Sequence, residues 1–210
     1  MNRAATVRIV DMDTSDCDMN GSVTEEAGTS PSGRAPLGLL ALVLAAYLAL
    51  AVRLLVLLPL WGAVQDEPVH FGYAKVLVVS GKLPMISTEQ PRDVREAYNL
   101  PSAGDAAHHP PGYYFVVSLV LRVFAHASLT AQNYAARGVS TLLGLLALLF
   151  IHGALRRLLP GRPGVAVGVT AAVALFPHWL MICATIHPES YAAAVASATL
   201  WALALVREQP

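Results

Sequence analysis

The sequence is poor in charged residues, and this scarcity excludes most soluble folds. Lysine, arginine, aspartate and glutamate make up 13% of its 210 residues, whereas a soluble domain carries about 25%. The formal net charge is zero, so no basic field indicates a nucleic-acid partner. Long apolar runs separate the few charged residues, and together these features predict an integral membrane protein.

Cysteines are also scarce, and the start of the chain lacks the pattern of a signal peptide. One of the two cysteines, Cys17, lies in a polar segment and the other, Cys183, in an apolar run, so we expect no disulfide between them. Residues 1–35 are acidic and precede any apolar run, which argues against a cleavable leader. Rich in Asp, Ser, Thr and Gly, residues 1–35 are predicted to form a disordered cytoplasmic tail.

Residues 36–210 are predicted to form a membrane domain, because four apolar runs in them are long enough to cross a bilayer. These runs cover residues 36–60, 138–155, 164–184 and 190–206. About 20 residues of helix cross the hydrocarbon layer, so the fold class is an all-α integral membrane bundle of about four transmembrane helices. Arg53 interrupts the first run and is expected to snorkel or to face the protein interior. Pro177 and His178 predict a kink in the third run.

The segment 61–135 between the first two spans is polar and punctuated by prolines. Residues 67–79 predict a short amphipathic helix that ends at Ser80-Gly81. Residues 112–125 form an apolar run too short for a full span, which suits an interfacial or re-entrant helix. If this run does not cross, the arginines near the span ends all fall on the cytoplasmic side, and 61–135 and 185–189 share the extracytoplasmic side. If it crosses, those two segments lie on opposite sides.

An acidic pair, Asp66-Glu67, follows the first span directly. One carboxylate can act as general base on an acceptor hydroxyl, or the pair can bind a divalent cation. The alternative is a structural role in which Asp66 caps the helix that Pro68 begins. The string Asp66-Glu67-Pro68-Val69-His70 is similar to the DExH box of helicases, but the phosphate-binding loop of helicases is absent from the sequence.

Histidines and lysines nearby supply candidate ligands for a charged substrate. The histidines of His108-His109-Pro110-Pro111 predict binding of a phosphate or a cation, or else a rigid turn with surface histidines. A second polar group, His187-Pro188-Glu189, predicts a facing half of the site, or an ordinary turn before a helix. The predicted substrate-binding residues are His70, Lys75, Lys82, His108, His109, Tyr113, His187 and Glu189. For both lysines a solvated loop position is the simpler alternative.

The order of these motifs resembles a known family. Asp66-Glu67-x-x-His70-x-x-Tyr73, then Gly81-x-Leu83-Pro84, then His109-Pro110-Pro111-x-Tyr113-Tyr114, and then Asn133 and Arg137 are similar to the N-terminal half of GT-C-fold glycosyltransferases. The likeness is to the protein O-mannosyltransferase and aminoarabinose transferase type, which is family 39-like. These enzymes transfer a sugar from a polyprenyl-phosphate carrier to an acceptor on the extracytoplasmic or luminal face.

The resemblance implies a catalytic role for Asp66 as the base, with Glu67 beside it. His109-Pro110-Pro111 would open a juxtamembrane helix on the extracytoplasmic face of the cell membrane. The implied partners are a polyprenyl-phosphate-linked sugar, membrane lipid and a second chain that completes the bundle, because such enzymes have more spans. A divalent cation held by Asp66 and Glu67 is the one cofactor suggested.

Two alternatives remain: a non-catalytic scaffold or partner subunit with this fold, and a small transporter whose path Arg53 and the intramembrane histidines mark.

Overall fold

The computed structural model describes residues 34–60, 66–99 and 106–207. Within these ranges the regular secondary structure is α-helical, so the predicted all-α class is confirmed there. The predicted tail, residues 1–35, lies almost wholly outside the described residues. The helices are α1 (Arg34–Leu57), α2 (Glu67–Ser80), α3 (Arg92–Tyr98), α4 (Gly112–Val123), α5 (Leu129–Leu158), α6 (Pro163–Ala174), α7 (Pro177–Ala184) and α8 (Glu189–Arg207).

Three described helices, α1, α5 and α8, are long and apolar enough to cross a membrane. A fourth span results if α6 and α7, which meet at an angle of 61°, are taken as one broken segment. The sequence predicted one span over 164–184 with a kink at Pro177. The bend is confirmed, since Phe176 is extended and α7 begins at Pro177, whose ring cannot continue the preceding helix.

The helix α5 begins earlier than the apolar run that predicted it. It contains 30 residues and is about 45 Å long, which exceeds the roughly 30 Å of bilayer hydrocarbon. Ser128 caps its start by accepting a hydrogen bond from the N–H of Ala131 at 3.3 Å. The first three turns contain Gln132, Asn133 and Arg137, all buried in protein. Hydropathy alone predicted that this helix starts at 138, because these three residues are polar. They are part of the helix because other helices, and not lipid, cover them.

Two hydrophobic cores lie along α5. The loop core joins α2, α4 and the first part of α5, through residues Val69, Phe71, Tyr73, Ala74, Leu77, Val94, Ala106, Tyr113, Tyr114, Val117, Leu121, Ala136, Val139 and Ile186. The membrane core joins α1, α6, α7 and the later part of α5, through residues Val43, Tyr47, Ala51, Leu148, Val167, Ala174, Leu180 and Cys183. Helix α5 therefore connects the predicted spans to the segment that carries the polar motifs.

The prediction of an amphipathic helix over 67–79 is wrong in one respect. The helix α2 exists and ends as expected at Gly81, which has a φ of 67° and donates its N–H to the carbonyl of Leu77 at 3.1 Å. However, every residue from Glu67 to Leu77 is buried, so α2 has no solvent-facing side over that length. Contacts with α3 and α4 enclose it, and Gln90 packs where a side chain at Gly72 would stand.

The helix α4 is a short element with apolar residues on both sides. Its 12 residues reach about 18 Å, too little to cross the bilayer. One side is buried in the loop core through Tyr114 and Val117, while Phe115 and Leu119 on the other side are exposed. An outward apolar side on a short helix fits the interfacial position predicted for this segment.

Candidate functional site

Histidines from three separate segments meet at one end of the bundle. The ring centroid of His70 on α2 lies 5.2 Å from that of His109 and 5.3 Å from that of His187. His108 lies beside His109, with centroids 4.2 Å apart. We call His70, His108, His109 and His187 the histidine cluster. The structure thus brings the predicted polar segments together, which fits the topology in which residues 112–125 do not cross the bilayer.

Prolines explain why these side chains lie at the starts of helices. Pro68 stands in the first turn of α2, Pro111 is the residue before α4, and Pro188 is the residue before α8. Proline fits helix starts because its φ is fixed and it lacks an N–H that the first turn would leave unpaired. The partial positive charge of three helix N-termini therefore borders the same region.

The Asp66 side chain is exposed and faces a cavity. It occupies the N-cap position of α2, as the alternative role of a helix cap predicts. However, its side chain makes no capping hydrogen bond, so capping does not occupy the carboxylate. The cavity measures about 390 Å³ and is lined by Asp66, Val69, His70, Ala106, His108 and His109. A carboxylate that is not engaged in capping is able to accept a proton from a group bound there.

A second cavity of about 300 Å³ lies beside the first and shares His109 with it. Its lining residues are His109, Pro110, Tyr113, His187, Pro188, Glu189, Tyr191 and Ala192. The tyrosine ring of Tyr191 lies so close to Gly112 that any side chain at this position would collide with it. Prolines and tyrosine rings dominate the wall of the second cavity, so most of this wall is apolar. Its polar lining residues are His109, His187 and the exposed Glu189.

Burial keeps three of these histidines, His70, His109 and His187, uncharged at neutral pH. Only 3% of His70 is exposed; burial, followed by the neighbouring histidines, lowers its pKa to about 3. Its Nδ1 lies 2.8 Å from the hydroxyl of Tyr114. Burial also lowers the pKa of His109 and of His187, and in both residues the charge of Asp66 opposes that shift. His70, His109 and His187 are therefore neutral imidazoles beside the exposed carboxylates of Asp66 and Glu189.

Two buried tyrosines support the cluster from α4. Burial raises the pKa of Tyr113 and of Tyr114, so both phenols stay protonated. The hydroxyl of Tyr113 lies 2.8 Å from Oγ of Ser140 on α5, and the ring of Tyr114 stacks on Tyr73 at 3.8 Å between centroids. Tyr113, predicted to bind substrate, offers its ring to the second cavity while its hydroxyl bonds to α5.

Glu67 forms a buried ion pair with Arg137 of α5. Both side chains are fully buried, and the guanidinium donates from Nε and Nη2 to the two carboxylate oxygens at 2.6 Å each. The remaining donors of Arg137 bind the carbonyls of Leu55, Leu58 and Pro59 at 2.9, 3.0 and 2.8 Å. All five N–H groups of the guanidinium are therefore satisfied.

This ion pair holds four elements together at the base of the site. The three carbonyls belong to the last turn of α1 and to the two residues that follow it, where carbonyls at a helix end lack partners and attract a cation. The carboxylate of Glu67 also accepts the N–H of Ile186 at 3.2 Å, which ties down the turn that carries His187. These contacts give Glu67 a structural role. Its two oxygens are engaged, so the predicted cation site formed by Asp66 and Glu67 together does not fit the structure.

The two lysines predicted to bind substrate do not reach the cluster. Nζ of Lys75 donates to Oε1 of Gln132 at 2.8 Å and pairs with Asp93 at 2.8 Å, so it joins α2 to α3 and α5. Lys82 is exposed on the turn after α2 and lines neither cavity. The solvated-loop alternative describes Lys82, and a structural ion pair describes Lys75.

Of the polar groups offered for a transport path, Arg53 and His178 lie on the outside of the described helices, while His152 on α5 is half-buried beside Thr170. Arg53 is exposed on α1 and His178 is exposed on α7, so the expectation that Arg53 faces the interior is not met, and snorkelling to the surface is the alternative that remains. Arg137, by contrast, was named only as part of a motif, and its role as a buried partner was missed. The signal that could have revealed this role is the position of Arg137 close to a membrane span, where an arginine needs a buried partner.

Among residues 34–60, 66–99 and 106–207, no group of three or more His, Cys, Asp or Glu side chains is arranged to hold a metal ion. Cys183 is a buried free thiol, while Cys17 lies outside the described residues. The sequence matches no protein-family model, no curated protein and no solved structure.

Proposed function

We propose that this chain is a membrane glycosyltransferase module that moves a sugar from a polyprenyl-phosphate carrier to an acceptor hydroxyl, with Asp66 as general base. The observation that carries the proposal is the Asp66 carboxylate, exposed to a cavity at the start of α2 and not engaged in capping. The cavity continues past His109 into an apolar space, and the motif order resembles that of such transferases.

The proposed reaction is a single inverting displacement. Asp66 accepts the proton of the acceptor hydroxyl as that oxygen bonds to the anomeric carbon of the sugar. The bond between this carbon and the phosphate oxygen breaks at the same time, and the polyprenyl phosphate leaves with the bonding electrons. Because negative charge develops on the phosphate, groups near it that donate hydrogen bonds lower the barrier.

The two cavities supply separate places for the two substrates. The cavity beside Asp66 has a polar wall of a carboxylate and three imidazoles, which suits a sugar and a hydroxyl. The neighbouring cavity is lined by His109, His187 and Glu189 and otherwise by prolines, tyrosine rings and Ala192, and this apolar part suits the first isoprenoid units of a lipid. His109 lines both cavities and marks the boundary at which the phosphate would lie.

We place the site on the extracytoplasmic face of the cell membrane because of the arginine distribution. The site lies at the N-terminal end of α5, while Arg156 and Arg157 lie in its last turn and Arg207 ends α8. Arginines flanking spans favour the cytoplasmic side. The opposite helix ends, including the starts of α2 and α8, then face outward.

The test is a transfer assay on Asp66→Asn in proteoliposomes. Wild-type protein is supplied with polyprenyl-phosphate mannose and polyprenyl-phosphate aminoarabinose, with a membrane extract as acceptor, and released polyprenyl phosphate is counted. Loss of a general base predicts a decrease in rate of about 10²–10⁴-fold, with the thermal unfolding temperature unchanged. Glu96→Gln, which removes an exposed carboxylate on α3, is the control and should keep full activity.

Two results would contradict the proposal. An Asp66→Asn variant with wild-type activity would remove the base from the mechanism. Wild-type protein that transfers neither sugar, with and without the extract, would favour the non-catalytic scaffold.

A further inference from the structure

The two buried cationic side chains, those of Arg137 and Lys75, are bonded to groups outside the histidine cluster. Arg137 is committed to Glu67 and to three carbonyls, and Lys75 is committed to Asp93 and Gln132. The side chains that remain around the shared wall of the two cavities are imidazoles, carboxylates and phenols. The residues that line the two cavities include no lysine or arginine that could neutralise an anion bound at this wall. An imidazole that is uncharged before the anion binds would therefore have to take up a proton.

We propose that His70, His109 and His187 form an anion site that holds the phosphate of the lipid carrier and takes up a proton as the phosphate binds. The identity of the carrier rests on the proposed function, whereas the proton uptake rests on the geometry of the cluster. His70 is 97% buried as its 3% exposure shows, lines the cavity, and uses Nδ1 for the Tyr114 hydroxyl, which leaves Nε2 as its second ring nitrogen for a ligand.

Helix geometry adds to the attraction for an anion. Helices α2, α4 and α8 contain 14, 12 and 19 residues, and each begins beside residues that line one or both cavities. Backbone N–H groups and the partial positive charge at helix N-termini favour phosphate. This fixed contribution is weak without a full charge, so a protonated imidazole is needed to complete the site.

Every element around the cluster contributes to its proton balance. The groups that face it are Asp66, His70, Tyr73, His108, His109, Tyr113, Tyr114, Arg137 paired with Glu67, His178, His187, Glu189 and Tyr191. Burial lowers the pKa of His109 and of His187; Asp66 counteracts this shift in His109, and Glu189 and Asp66 counteract it in His187. These carboxylates repel a phosphate but favour an imidazolium, so anion and proton are expected to bind together.

The sign of the pH dependence follows from these directions. In the empty site the pKa values of His70, His109 and His187 lie below the ordinary value, so the imidazoles are neutral at pH 7. A phosphate favours the charged form and raises them. Ligand binding therefore takes up protons, and by linkage the affinity rises as pH falls, by about tenfold per pH unit for one proton.

The experiment is isothermal titration calorimetry on the full chain in nanodiscs, in EDTA, between pH 8.5 and 6.5. The probe is farnesyl methyl phosphate, a diester that carries one negative charge across this range. Titrations in two buffers of different ionisation enthalpy report the number of protons taken up. Farnesol tests the lipid alone, and inorganic phosphate tests the anion alone.

Variants of the cluster provide the matched comparison. His109→Gln and His187→Gln should each weaken diester binding at pH 6.5 more than at pH 8.5, so that the pH dependence becomes flatter. His126→Gln replaces an exposed histidine after α4 that lines neither cavity, and it should bind as the wild type does. Farnesol should bind without a pH dependence.

The outcomes separate this proposal from the proposed function. Diester binding with uptake of about one proton supports the anion site even if no donor is turned over, in which case the transferase proposal alone fails. Sugar transfer with diester binding that is independent of pH overturns the anion site and leaves the transferase standing. Absence of diester binding, or inorganic phosphate bound as tightly as the diester, also overturns it.

Discussion

Two adjacent carboxylates have different environments because a helix begins between them. Asp66 precedes the first turn of α2 and is exposed to the cavity, while Glu67 is the first helical residue and lies fully buried against Arg137. A change of one position at a helix start turns the side chain through a large angle. Asp66 is thus available for chemistry, whereas Glu67 stabilises the contacts between the helices that carry the site.

Removing one member of the Glu67–Arg137 pair is expected to destabilise the protein severely. Glu67→Gln leaves a buried guanidinium without its counter-charge, and such changes cost about 3–5 kcal/mol. The exposed pair Arg92–Glu96 on α3, with an N–O distance of 2.7 Å, is the matched comparison, and Arg92→Gln should cost about 0–1 kcal/mol. Unfolding in mixed micelles titrated with SDS measures both free energies.

The double variant Glu67→Gln/Arg137→Met should recover part of the loss, because no buried charge then remains. A Glu67→Gln variant as stable as Arg92→Gln would show that the buried pair does not hold these elements together.

The sequence predicted residues at helix starts better than the contacts of buried side chains. Asp66, His109 and His187 each lie within two residues of a proline at a helix start, so a local pattern reveals them. The partner of Glu67 is 70 positions away, and local patterns carry no information on such a contact. For the same reason Lys75 was grouped with possible substrate ligands, although Asp93 and Gln132 engage it.

At the scale of elements, α5 carries the connection between the two cores, and its glycines show where it is tightly packed. Among the described residues, no atom outside the neighbouring backbone of α5 lies within 4 Å of the place where a Cβ at Gly138 would stand. At Gly144, two turns later, the Tyr47 hydroxyl and the Cys183 sulfur would collide with one. The close approach of α1 and α7 to α5 therefore depends on Gly144.

Opposite effects are expected from the same substitution at these two glycines. Gly138→Ala should stabilise the protein by about 0.5–1 kcal/mol, because alanine favours the helix and meets open space. Gly144→Ala should destabilise it by about 1–3 kcal/mol through overpacking. SDS-titrated unfolding of both variants measures the difference. Equal effects would contradict the close packing of Tyr47 and Cys183 on α5.

Hydropathy predicted the membrane-spanning helices and failed where protein covers protein. The spans have long apolar surfaces, so α1, α8 and most of α5 were found. The start of α5 was missed because its polar residues are buried by neighbouring helices, and the buried character of α2 was missed because its apolar residues follow no single face. Both failures arise from contacts between segments far apart in the chain.

At the scale of the whole molecule, the cluster lies where the loop core meets the spans. Ile186 belongs to the loop core, while Cys183, three residues earlier, belongs to the membrane core. The turn between α7 and α8 thus carries His187 from the spans to the cluster. This arrangement requires the first turns of α2, α4 and α8 to lie on one side of the bilayer.

Cysteine labelling of intact cells tests this requirement most directly. Single cysteines replace His108, Glu189 and Arg162, which are all exposed, in a chain with Cys17 and Cys183 changed to alanine. A membrane-impermeant maleimide is then added from outside. We expect labelling at 108 and 189, with 162 labelled only after permeabilisation. If 162 is labelled from outside and 189 is not, the two halves of the site lie on opposite faces and the proposed site does not exist.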